Sequence, residues 1–196
     1  PVIKASDYPP YMAPPGPMSF RAQSCVKMLA EDKSISWQKM IEYKHSTRME
    51  LAERILDDLI PAAQKHGDEL ARRAADILAT WNRNADADSR GAVLFSFWLE
   101  EIGTEKVFSI PWNEKFPRTT PDGLADPQGA AKALSVAATK VEKAYGTLDV
   151  AWGDVFRLRY ENLDLPANGG DGDKGIFRVL NFAPSPDGRF QAVAGD

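Results

Sequence analysis

The sequence predicts a mainly α fold with a β-rich C-terminal third, an α+β arrangement. Three observations carry that expectation. Apolar residues recur at helical spacing between Ser19 and Tyr145, prolines crowd the first residues and the stretch 104–127, and strand-like alternation begins only after Val155. The chain accordingly divides into a proline-rich extended arm over 1–18, a helical region over 19–146 with an irregular loop at 104–127, and a β-hairpin-rich segment over 147–196, truncated at its end.

The arm, PVIKASDYPPYMAPPGP, holds six prolines. Each fixes φ and removes a backbone donor, which disfavours helix and predicts extended chain. Helical periodicity starts near Ser19, with Phe20, Gln23, Lys27 and Met28 on one side and Val26 and Leu29 on another. A short helix is expected from Ser36 to Tyr43, with Ser34 or Ser36 as its N-cap. Met49, Ala52, Leu56, Leu59, Ile60 and Ala63 then form one apolar face, and Pro61 should kink or end that helix.

Gly67 closes the run and Asp68 can cap the next helix, whose stripe is Leu70, Ala74, Ile77, Leu78 and Trp81. Another helix is expected from Ser89 to Ile102, ended by Gly103. Pro111, Pro117, Pro121 and Pro127 break the chain into a long loop of the kind that wraps a scaffold or lines a site. Leu134, Ala137, Ala138, Val141 and Tyr145 mark the last helix, stopped by Gly146. FRLRYENLDL, IFRVLNFA and RFQAVAG read as strands, the last two joined by a Ser185–Gly188 turn.

A chain of 196 residues with 43% hydrophobic and 27% charged content can bury a real core. A net charge of −4 without a basic stripe argues against a nucleic-acid surface, and no apolar run is long enough for a membrane span. Cys25 is the single cysteine, which excludes an internal disulfide and suits a small core filler. The chain starts without Met and stops directly after a strand-like run, so both ends are expected to be cut from a longer chain.

Several motifs invite chemistry and fail on context. Gly170–Gly175 spells G-x-G-x-x-G, but a dinucleotide loop needs a strand before it and a helix after it, and two aspartates would repel phosphate. A flexible glycine loop between strands is expected instead. NADADSRG resembles the start of a calcium loop, yet Phe95 or Phe97 stands where the bidentate glutamate belongs. Asp86, Asp88 and Ser89 are expected to cap a helix start, with Arg90 pairing a carboxylate. His45, in YKHSTR, has hydroxyls nearby but no signature nucleophile motif, His66 sits in polar QKHGDE at a helix end, and with one cysteine the two make a poor zinc set. Glu50, Glu53, Asp57 and Asp58 read as a solvated face paired with Arg48 and Arg54.

Three stretches in order resemble the penicillin acylase family, especially its acyl-homoserine lactone and aculeacin acylase branch. They are DYPPYMAPPGPMSFRAQSCVKML, then YKHSTRMELAERILDDLIPA through WNRNADADSRGAVLFSFW, then TPDGLADP with YGTLDVAWGDVFRLR and LPANGGDGDKGIFRVL. The resemblance implies an interior, mostly helical piece of the large chain of an N-terminal-nucleophile hydrolase that cleaves linear amides. In that family a precursor cuts itself, and the new N-terminal serine attacks with its own α-amino group as base. The serine and the oxyanion asparagine would both lie outside this chain, leaving the piece itself inactive.

By the same resemblance Arg21, in SFRAQS, takes the place of the family's supporting active-site arginine; read alone, it is a helix-start arginine in an ion pair. Asp7, in Asp-Tyr-Pro, matches a carboxylate that some members give to a structural calcium; read alone, it is a turn former. No other cofactor is implied. The implied partners are the remainder of the large chain, the small chain of the same precursor and an N-acylated small molecule, in a periplasmic or secreted enzyme. Two rivals stay open: a helical interaction or scaffold module, and a degenerate homologue without catalysis.

Overall fold

The computed structural model describes residues 16–104 and 107–195, and its architecture is mainly helical with a small sheet in the C-terminal part. Among the described residues seven helices come first: α1 (Phe20–Glu31), α2 (Trp37–Lys44), α3 (Glu50–His66), α4 (Glu69–Thr80), α5 (Ala92–Ile102), α6 (Pro127–Tyr145) and the single turn α7 (Trp152–Val155). Strands β1 (Phe156–Tyr160), β2 (Leu163–Pro166), β3 (Leu180–Pro184) and β4 (Phe190–Gly195) follow, with a 3-10 turn at Gly172–Lys174 before β3.

Helix starts follow local chemistry. Ser19, Ser36, Asp68 and Asp126 each accept a hydrogen bond from a backbone N–H of the first turn, contributing about 1 kcal/mol per cap. Ser34 is not a cap; its N–H donates to Asp32 Oδ1 at 2.9 Å in the turn before α2. Gly103 and Gly146 close α5 and α6 with φ of 71° and 78°, a region that glycine enters without a Cβ penalty.

Two helix boundaries differ from the sequence expectation. α3 runs through Pro61 to His66. The ring sits on the solvent side, while Leu56, Leu59, Ala62 and Ala63 bury the opposite face. An interior proline costs about 3 kcal/mol, and each fully buried leucine returns about 1.5–3, so packing wins. α5 begins at Ala92 behind Gly91, with no side-chain cap. Asp86 and Ser89 build the preceding turn instead: Asp86 N–H donates to Ser89 Oγ at 3.2 Å, and Thr47 Oγ1 donates to Asp86 Oδ1 at 2.6 Å. Arg90 does reach Asp149, through its carbonyl at 2.6 Å and its carboxylate at 3.7 Å.

The core is a bundle in which α3, α4 and α5 all pack against α6. Buried alanines make the close approach feasible: Ala74 and Ala75 on α4 meet a helix carrying Ala130, Ala137 and Ala138. Trp98, wholly buried on α5, donates its indole N–H to Ala130 O at 3.0 Å, so its one polar atom is satisfied inside the core. Cys25 is half-buried on α1 rather than part of this core.

The sheet has the order β2-β1-β4-β3. Two antiparallel pairs, β1–β2 and β3–β4, join through a short parallel contact that sets Phe156 opposite Phe190. Trp152 stacks on Phe156 at 3.7 Å, Phe190 stacks on Phe156 at 5.0 Å, and Phe97 of α5 meets Phe190 edge-on at 6.4 Å. This aromatic column fastens the sheet to the bundle. The chain around Ile176 is not strand, as sequence alternation suggests, but a fully buried anchor before β3 begins at Leu180.

Candidate functional site

Arg21 occupies the first turn of α1, next to the Ser19 cap. A cation there faces the positive end of the helix dipole, so other contacts must hold it. Its Nη2 donates to Phe177 O at 3.2 Å, and its guanidinium lies 5.0 Å from the Phe177 ring centroid. Its aliphatic stem crosses Gly172, where an added Cβ would lie 3.5 Å from Arg21 Cδ and 3.2 Å from Val179 Cγ2.

The glycine-rich run beside Arg21 lies between β2 and β3, as expected, and is closely packed against its neighbours. Gly175 has φ of 86°, and a Cβ there would meet Glu50 Cβ at 2.5 Å and Glu50 N at 2.9 Å. Asp171 caps the turn by accepting from Asp173 N–H at 2.9 Å, and Lys174 Nζ donates to Ser96 Oγ at 3.2 Å. The glycines allow this turn to pack between α1 and α3. Its flanks are strand and irregular chain, so no helix N-terminus is aimed at a phosphate.

A polar network ties α1 to α3 through Gln23 and Lys27. Glu50 is only 3% exposed; it accepts from Arg54 at 2.8 Å and from Lys27. Arg54 also donates to Gln23 Oε1 at 3.0 Å and to Arg118 O. The fully buried Gln23 donates to Met18 O and Thr120 O, both at 3.0 Å. This corrects the solvated-face reading for Glu50, because α1 and the proline-rich loop cover that side of α3. The reading holds for Asp57 and Asp58, which are exposed, while Glu53 pairs with Arg48 and Arg83.

On the other side of the glycine-rich turn lies an open cavity of about 670 Å³. Phe20, Phe108 and Trp112 form its apolar wall, and Glu100, Asp171 and Lys174 its polar end. Burial pushes the Lys174 amine below its ordinary value, while the nearby carboxylates of Asp171 and Glu100 oppose that shift.

The two histidines stay apart from this region. His45 is the exposed residue that ends α2, and His66 lies in the last turn of α3, where the dipole favours a cation. Among the described residues no group of three or more His, Cys, Asp or Glu side chains is gathered for a metal ion, and Asp7 lies outside those residues. The structure therefore brings Arg21 together with Phe177 and the Gly172 turn, and joins α1 to Glu50 through Gln23. Sequence reasoning passed over Gln23, Glu50 and Lys174 as site neighbours. A Glu–Arg spacing of four on α3 was the one available signal, and it does not distinguish a buried pair from a surface one.

No helix among the described residues is long and apolar enough to cross a membrane. The chain is 24% identical over 91% of its length to a Pseudomonas fluorescens protein named acyl-homoserine lactone acylase PvdQ, of which it covers 24%. A protein of the same name from Pseudomonas syringae pv. tomato is 25% identical over the whole chain, which covers 27% of it. A third, from Pseudomonas savastanoi pv. phaseolicola, is 28% identical over 74% of the chain and 20% covered. The chain thus spans about a quarter of the length of the relatives it matches. The penicillin amidase family model matches residues 2–195, and the chain belongs to that family.

Proposed function

We propose that this chain is the helical scaffold segment of an N-acyl amide hydrolase whose nucleophile is an N-terminal serine supplied from outside these 196 residues. The whole enzyme would cleave the amide of an N-acylated small molecule, with acyl-homoserine lactones the first class to test. The match to the penicillin amidase family across residues 2–195 carries this reading. The naming of the relatives as acyl-homoserine lactone acylases supports the substrate class.

Within that enzyme Arg21 is a positioning residue that orients the oxyanion asparagine and the terminal amine by its charge. Its support is its fixed place at the head of α1, held by the Phe177 carbonyl and ring. The partners are the rest of the large chain and the small chain of one self-cleaving precursor, exported to the periplasm or beyond. Asp7 would give one carboxylate to a structural calcium whose other ligands come from elsewhere in the enzyme.

The test uses the full-length protein. Mass spectrometry is expected to find a large chain beginning with serine, and the purified enzyme to release homoserine lactone from its N-acyl derivatives. Arg21→Ala is expected to lower kcat at least ten-fold with KM little changed, and Arg21→Lys to restore part of it. Amide hydrolysis by the purified 196-residue chain alone, or an unprocessed and inactive full-length protein, would overturn the reading.

A further inference from the structure

Trp37, Met40 and Ile41 stand at i, i+3 and i+4 of α2, the spacing that places side chains on one helix face. In a surface helix that face normally turns inward. Here it turns outward: the three residues are 72%, 48% and 37% exposed, and α2 buries none of its residues. Leu29 at the end of α1 and Ile35 in the intervening turn are exposed as well. The other exposed large apolar residues lie on the proline-rich loop (Ile110 and Phe116), the β1–β2 hairpin (Tyr160, Leu163 and Leu165) and β4 (Val193).

The outward orientation is held in place. Tyr43 Oη donates to Asp32 Oδ2 at 2.7 Å, and Lys39 Nζ reaches the same carboxylate at 3.6 Å. Both bonds tie the polar side of α2 to the α1–α2 turn and leave the apolar stripe presented to its surroundings. Such a stripe, with charges of both signs around it (Lys33, Lys39 and Lys44 against Glu31, Asp32 and Glu42), has the make-up of a protein interface with an apolar centre and polar rim. A lipid surface selects a basic rim, which is absent here.

We infer that the α2 stripe seats against polypeptide of the same acylase that lies outside this chain. The inference rests on the function proposed above and specifies where that enzyme's other parts meet this segment. About three quarters of each matched relative's length has no counterpart here, which leaves ample chain to cover the stripe. A second copy fits less well. A stable dimer needs about 800 Å² per partner, more than one short helix supplies, whereas a contact within one processed enzyme carries no separate association cost.

The experiment places a photo-reactive benzophenone amino acid at position 40 of the mature full-length enzyme and maps its crosslinks by mass spectrometry. Hydroxyl-radical oxidation of Trp37 is followed alongside. The expected result is crosslinking to peptides of the same molecule outside residues 1–196, with Trp37 oxidised at least ten-fold more slowly than a free indole. Crosslinks to a second copy or to lipid would overturn the inference, as would oxidation of Trp37 at the free rate. Amide hydrolysis by the unmodified enzyme is measured in parallel. An inactive enzyme sinks the functional reading, whereas an active enzyme with an accessible stripe sinks only this one.

Discussion

Glu50 and Arg54 form an ion pair at 2.8 Å one turn apart on α3, with the side chains only 4% and 9% exposed. Lys27 supplies the second cation from α1. Breaking a buried pair by removing one partner leaves an uncompensated charge, which costs about 3–5 kcal/mol. Glu50→Ala is therefore expected to be among the most destabilising single changes in the bundle. Lys27→Met should cost less, since Lys27 is 30% exposed. The urea midpoints of the two variants check the order.

Gly175 and Gly146 both have positive φ, at 86° and 78°, but different surroundings. At Gly146 nothing lies within 4 Å of an added Cβ, so Gly146→Ala meets only the left-handed backbone penalty of about 1–2 kcal/mol. At Gly175 the Cβ would strike backbone as well as side chain of Glu50. Gly175→Ala is expected to lose clearly more stability than Gly146→Ala in parallel thermal melts. Equal losses would show that α3 yields to the added methyl.

The lowered Lys174 amine sets a direction for pH dependence. Between its folded value and the ordinary 10.5, the unfolded chain binds the extra proton, so stability rises with pH across that window. Lys174→Met is expected to flatten that rise. Unfolding free energies of both proteins at several alkaline pH values test it, and parallel slopes would rule out the lysine as its source.

Asp68 works at the other end of the pH scale. Its carboxylate accepts from Ser135 Oγ at 2.6 Å and from Ala71 N–H at 2.8 Å, and these bonds hold its pKa below 3.8. Its contribution is fully present above 3.8 and is lost as pH falls through the lowered folded value. Asp68→Ala should cost about 1 kcal/mol at pH 7, the usual effect of losing an N-cap, and the difference from the parent should vanish in acid. Denaturation at pH 7 and at a series of pH values descending from 3.8 follows the loss.

Much of the fold was legible because its signals are local. Ser19, Ser36 and Asp68 announce helix starts, Gly103 and Gly146 announce stops, and the stripe from Leu134 to Val141 is buried as its spacing predicts. Features decided by distant partners were not. Glu50 is covered by α1 and the proline-rich loop, and Lys174 finds Ser96 across 78 positions. The parallel β1–β4 contact likewise joins residues that no turn connects. The candidate site divides the same way: Arg21 came from the resemblance of SFRAQS to a family pattern, while its support by Phe177, and the tie of α1 to Glu50 through Gln23 and Arg54, emerge only in three dimensions.

The alanine-lined helix α6 has a consequence for motion. Because α3, α4 and α5 all lean on it, none of the three can detach without exposing the same shared surface. Elements outside this group can open without exposing that surface. Amide hydrogens near Ala137 and Ala138 should exchange only when the entire bundle opens, making that stretch the slowest clock in the chain.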